Sequence, residues 1–161
     1  MRVRLSPAAP HDLKKFMFCY GESCYTAYMK TTTIRQGGMF PASPRAVYDA
    51  FMSSAKHAAF TGAEAKLSTK VGGKFDVYDG WATGKNIELQ PGKLIVQSWR
   101  GDDWPADHFS TLTIKLLPAP RGATKLLMTQ TDVPTSVAKD IAQGWRDYYW
   151  TPLKEYLVAK K

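Results

Sequence analysis

No run of about eighteen apolar residues occurs in the chain, so no segment reads as a membrane-spanning helix. Histidine and cysteine are scarce, three and two in number. No His-x-x-x-His pair exists, and a metal site is not expected. Cys19 and Cys24 match no zinc spacing and are too few for a disulfide framework, so we expect reduced thiols and a cytoplasmic protein. Clustered basic charge is also missing. The net charge is +8, yet beyond residue 30 Lys and Arg are scattered singly or in pairs. Nucleic-acid binders concentrate such residues into a stripe interleaved with stacking rings. Here charge supports solubility and loose attraction to anionic partners, with no nucleic-acid role. A matched nucleophile, base and orienter is absent as well. His108 follows Asp107, but strand neighbours point to opposite faces. Catalysis would need Glu88 or Asp76 to meet His108 in the fold, so no catalytic residue and no cofactor are assigned.

What the chain has is aromatic surface at helical spacing. In 161 residues, 44% are apolar and 22% charged, the composition of one ordinary globular domain. The segment Thr135–Ala159 carries Val137, Ile141, Trp145, Tyr148, Tyr149, Tyr156 and Leu157 at steps of three, four and seven. That is one apolar helical face, with Thr135 as its expected cap. Such a face must be buried against something broad, and the strands upstream are the candidate.

Residues 1–30 differ from the rest. Their basic start and the short run Phe16–Tyr20 make neither a signal peptide nor an amphipathic presequence, and they are read as an extension of no assigned role. From Thr31 the order is a strand to Phe40, then a helix opened by Ser43-Pro44 and a second short helix Ser54–Phe60 ended by Gly62. Alternating runs follow at Gly73–Tyr78, Thr83–Leu89, Leu94–Arg100, Phe109–Leu117 and Thr124–Thr131. Asp79-Gly80, Pro91-Gly92, 101–103 and 120–122 supply the turns. Connections this short predict an antiparallel meander. Leu112, Ile114 and Leu116 share one face, with Thr111, Thr113 and Lys115 on the other; Leu126, Met128 and Gln130 alternate likewise. Gly80–Asn86 looks like a phosphate loop but is one residue short and has no helix after it.

These words, in this order, resemble the SRPBCC superfamily of START-like, helix-grip proteins, and within it the family related to activators of the heat-shock ninety chaperone ATPase. They include Gly72-Gly73-Lys74-Phe75, Asp79-Gly80, Pro91 to Val96, Ser98-Trp99-Arg100, Trp104-Pro105, His108-Phe109 and Gly144 to Trp150, across residues 31–161. The resemblance implies an α+β fold: a curved antiparallel sheet of six or seven strands wrapped around a long C-terminal helix, with two short helices after the first strand. It also implies a cavity between sheet and helix, used across the superfamily for hydrophobic ligands, and co-chaperone activity by family name. Activators carry this module after a separate chaperone-binding domain; this chain looks like the stand-alone form.

The expected cavity wall is Phe75, Val77, Leu112, Ile114, Met128, Ile141, Trp145 and Tyr149. Trp99, Arg100 and Trp104 are candidates for a pocket mouth or a partner contact, since Trp and Arg often anchor interfaces. The leading expectation is a non-enzymatic protein binding a small hydrophobic or amphipathic ligand. A heat-shock chaperone partner is the alternative, and a hydrolase or cyclase using cavity acids ranks last.

Overall fold

The computed structural model describes residues 13–160. Eight strands run β1 (Leu13–Tyr20), β2 (Ser23–Phe40), β3 (Ala65–Leu67), β4 (Lys74–Val77), β5 (Ala82–Gln90), β6 (Leu94–Gly101), β7 (Ser110–Ala119) and β8 (Ala123–Pro134). Their spatial order is β1-β2-β8-β7-β6-β5-β4-β3, and every pairing is antiparallel. Seven of them form the main sheet, and β1 pairs only with the first part of β2. Two helices, α1 (Pro44–Met52) and α2 (Ser54–Thr61), sit between β2 and β3. At the C-terminus, α3 (Ala138–Trp145), a π-helical turn (Arg146–Trp150) and α4 (Thr151–Ala159) follow one another without a break. This is the α+β helix-grip arrangement expected from the sequence.

Local chemistry sets the element ends. Ser43 Oγ accepts the Ala46 N–H and Pro44 occupies the first helical position, where its missing donor costs nothing. Gly62 closes α2 in the left-handed region at φ 73°, a conformation that a Cβ disfavours. Thr135 does not cap the last helix. Its hydroxyl instead donates to the Lys30 carbonyl, tying the end of β8 to β2, and α3 starts three residues later at Ala138.

The N-terminal extension, to which the sequence assigned no role and no strand, is partly strand. Strand β2 begins at Ser23 rather than Thr31, and residues 13–30 form a ribbon with β1; the part before residue 13 lies outside the described residues. The ribbon sets Cys19 opposite Cys24, and the two are joined in a disulfide, which corrects the expectation of reduced thiols. The spacing signal failed because two cysteines flanking a tight turn become cross-strand partners, with Cα atoms 4.1 Å apart.

Strand parity divides the sheet as the alternation predicts. Leu112, Ile114, Leu116, Leu126, Met128 and Gln130 face inward and are buried. Outward, each strand of the main sheet contributes one base: Arg35, Lys66, Lys74, Lys85, Arg100, Lys115 and Lys125. The register lines them up on one face with Asp76 and Glu88 as its acids. Bases scattered in sequence are therefore gathered in space.

Candidate functional site

The terminal helix lays a block of aromatic rings into the sheet. Trp145 is 3% exposed, packs 4.5 Å from the Tyr149 ring and stacks on Trp150 at 5.3 Å. Three successive hydrogen bonds hold it. Its indole N–H donates to Gln130 Oε1 at 2.8 Å, Gln130 Nε2 donates to Ser110 Oγ at 2.9 Å, and Ser110 donates to the Trp99 carbonyl at 2.7 Å. Trp150 donates in turn to Gln36 Oε1, whose amide reaches back to the Ala142 carbonyl. Each buried polar atom of these chains has its partner, which fixes the helix to β2, β7 and β8.

The π-turn decides which rings go inward. Thr151 N–H bonds to the Arg146 carbonyl five residues back, so this turn holds one residue more than an α-turn. Pro152 has no N–H to offer the Tyr148 carbonyl, four residues before it. The Tyr78 hydroxyl donates to that carbonyl instead. The wider turn lets both Tyr149 and Trp150 face inward while Tyr148 is 61% exposed.

Beneath Tyr149 lies His57. Its Nδ1–H donates to the Phe51 carbonyl at 3.1 Å, which leaves Nε2 to accept the Tyr149 hydroxyl proton at 3.3 Å. Burial holds the imidazole below its ordinary pKa of 6.5, and burial also keeps Tyr149 protonated well above 10. A neutral buried histidine couples stability to acid. The unfolded chain binds a proton near pH 6.5 that the folded protein refuses, so stability is complete above that pH and declines as pH falls below it. Urea midpoints measured from pH 7.5 down to 5 are expected to fall in the wild type and to fall less in His57→Gln. Parallel profiles for the two proteins would reject the coupling.

Two spaces flank the Trp145–Tyr149 pair. On the inner side is a void of only about 20 Å³, bordered by Phe75, Val77, Leu112 and Ile114 among others. On the outer side an open cleft of about 430 Å³ lies between the helix and the 78–81 turn. Its walls are Tyr78, Trp81, Trp99, Trp145, Tyr148 and Tyr149, with Val137, Ile141 and Gly144 from the helix and Asp103 and Asp140 at the sides. Tyr78, at φ 52°, and Asp79, at φ 56°, both adopt left-handed backbone in that turn. For a bulky residue such as Tyr this is an uncommon, strained conformation.

Of the expected wall, then, Ile141, Trp145 and Tyr149 reach the cleft. Phe75, Val77, Leu112 and Ile114 border the small void, and Met128 is core at 1% exposed, lining neither space. The expected mouth residues separate. Trp99 lines the cleft, whereas Arg100, its strand neighbour, turns to the opposite face and donates to the Trp104 carbonyl at 2.7 Å. Trp104 is 4% exposed and packs on Trp99 and His108, which removes it as an exposed partner contact. His108 is buried within bonding distance of the Asp132 carbonyl, while Asp76 and Glu88 lie on the outer sheet face, so the three do not meet. Among the described residues no group of three or more His, Cys, Asp or Glu side chains comes together to hold a metal. No helix among them is long and apolar enough to cross a membrane.

Residues 41–158 match the family model described as Activator of Hsp90 ATPase homolog 1-like protein. The human Activator of 90 kDa heat shock protein ATPase homolog 1 is 36% identical over 116 residues, covering 72% of this chain and 34% of that protein. The Dictyostelium discoideum homologue is 34% identical over 72% of this chain and 30% of its own length. This chain thus spans about a third of the curated relatives it matches. Among solved structures, an HSP90 activator from Plasmodium falciparum superposes with a TM-score of 0.75 at 23% identity, covering 78% of this chain and 96% of that one. A Chromobacterium violaceum protein does so at 0.65 and 27% identity, covering 78% and 96%. With the matched segment covering most of the described fold, the chain belongs to the Activator of Hsp90 ATPase homolog 1-like protein family.

Proposed function

We propose that this domain is a binding module, and that the cleft beside the terminal helix holds the apolar part of a small ligand. The observation that carries this reading is the cleft itself: about 430 Å³ walled by six aromatic rings, the size and character of a small-molecule site. Trp81 and Tyr148 keep 37% and 61% of their surface exposed at this cleft while packing edge-on against Trp99 and Tyr78, so the exposed rings form one contiguous aromatic patch of the kind that marks a binding site. The strained Tyr78–Asp79 backbone that shapes one wall supports the same reading. The inner void is too small for any ligand, so the site lies outside the Trp145–Tyr149 pair rather than behind it.

The test is a fluorescence titration with N-phenyl-1-naphthylamine. A Cβ at Gly144 meets only Tyr148 Cδ2, at 3.7 Å, so the helix tolerates a side chain that occupies the cleft. Gly144→Leu is expected to weaken dye binding at least about tenfold. Equal saturable binding by both proteins, or none by the wild type, would sink the reading.

Identity of 36% to a curated activator of the 90 kDa heat shock protein ATPase favours a second reading, in which the domain docks on that chaperone. Added protein should then change the chaperone's ATP turnover and co-sediment with it. Failure of both removes this alternative.

A further inference from the structure

We propose that the cleft selects amphipathic cations: a positively charged head group on an apolar tail. This rests on the cleft being the binding site. Its lining contains six aromatic rings, two carboxylates, and no Lys, Arg or His. In a protein of net charge +8, a concavity that excludes every base departs from the surrounding surface. Asp103 and Asp140 come from opposite walls, one from the turn after β6 and one from the first turn of α3. Among the described residues neither forms an ion pair or a hydrogen bond through its carboxylate. Asp140 has an ordinary reason to be there, because an acid favours a helix N-terminus. Asp103 has none of that kind. The ring faces carry negative potential and attract cations, most strongly for Trp, of which the cleft has three. An anionic head group would meet two carboxylates and ring faces together, which is the repulsive half of the discrimination.

The test compares octyltrimethylammonium, octanol and octanoate as competitors of the naphthylamine dye. These share a tail and differ in head-group charge. The ammonium compound is expected to bind about tenfold more tightly than octanol, and octanoate to bind least. Asp103→Asn/Asp140→Asn should abolish the preference while octanol binding stays. Octanol matching the ammonium compound in the wild type overturns cation selectivity and leaves the cleft reading standing. Failure of all three, together with failure of the dye, overturns both.

A separate observation carries a second inference, independent of the cleft. We infer that the outer face of the sheet docks an acidic protein segment containing apolar side chains. The seven bases of that face outnumber its two acids, and only Lys66 among them is in an ion pair, with Glu64 at 3.2 Å, among the described residues. Lys74 lies directly opposite Lys85, an arrangement that weakens a sheet and that packing does not require. Exposed Met39, Leu117 and Leu127 alternate with Lys115 and Lys125 across β2, β8 and β7. Aliphatic groups set among bases suit a protein surface; nucleic-acid bases would need stacking rings, and Phe109 is capped by Arg100.

A fluorescein-labelled peptide of Glu, Asp and Leu, followed by anisotropy, tests this. Lys74→Glu/Lys85→Glu/Lys115→Glu should weaken binding at least about tenfold, and added salt should weaken the wild type. These side chains are exposed, and the same changes to Gln serve if the Glu variant melts early. Equal peptide affinity in variant and wild type overturns the inference. So does tighter wild-type binding to a single-stranded oligonucleotide or to phosphatidylserine vesicles than to the peptide.

Discussion

Replacing Trp145 with Ala is expected to lower stability by about 3–5 kcal/mol, the range for a large buried ring in a packed core. The ring is in contact with Trp99, Tyr149 and Trp150, so its removal leaves a void on three sides. It also strands Gln130 Oε1, a buried acceptor whose partner is the indole N–H, adding to the loss. The partition between the inner void and the outer cleft disappears with it. For a domain of this length the melting temperature should fall on the order of 10 °C. Trp145→Phe restores part of the volume but not the donor, and should fall between. Urea denaturation of the three proteins checks the order, and a loss below about 1 kcal/mol for the Ala variant would contradict the packing described.

Gly84→Ala is expected to be nearly as damaging, although it adds a single methyl group. A Cβ at that position would stand 1.8 Å from the Ser98 carbonyl oxygen and 2.8 Å from the Phe75 ring. The first of these is main chain in the middle of a strand and cannot swing away. Overpacking commonly costs about 1–3 kcal/mol, and a backbone clash lies at the upper end or beyond it. Either β5 moves off β6 or the Phe75 ring leaves its place in the core. Gly144→Ala, whose Cβ has open space apart from an ordinary contact, is the matched control and should be tolerated. Thermal melts of both variants decide the point; a Gly84→Ala protein as stable as the control would refute it.

The same glycine illustrates what the sequence could tell. Gly80–Asn86 resembles a phosphate loop in spelling, but Gly84 is there because strands β5 and β6 approach too closely for a side chain. The motif was dismissible from context, while its actual cause was not visible until β5 lay against β6. Gln130 is an intermediate case. Its parity with Leu126 and Met128 marks it as inward-facing, and a lone amide at an inward position signals a hydrogen bond to something. That the something is the Trp145 indole required the helix to be docked. Regular helical spacing omits Trp150 and Leu153, which are buried, and includes Tyr148, which is 61% exposed. An ideal period of 3.6 cannot describe a segment with a π-turn, and Pro152, its one local signal, reads equally as a first-turn proline.

Beyond residue 30, and apart from the three-residue β3, sequence alone determined the order of elements, the antiparallel meander, the buried parity of its strands and the helix that closes it. These depend on short-range periodicity, capping and turn chemistry, which act over a few residues and are written where they act. Only the tertiary structure decided where the open space lies, which side chains share it, and that the scattered bases occupy one face. Cleft residues as distant as Tyr78, Asp103 and Asp140 meet only once register and helix docking are fixed. The volume left between them is a small difference between large packed quantities, set by which rings the π-turn directs inward. No local pattern carries that difference, so it emerges only when the whole core is assembled.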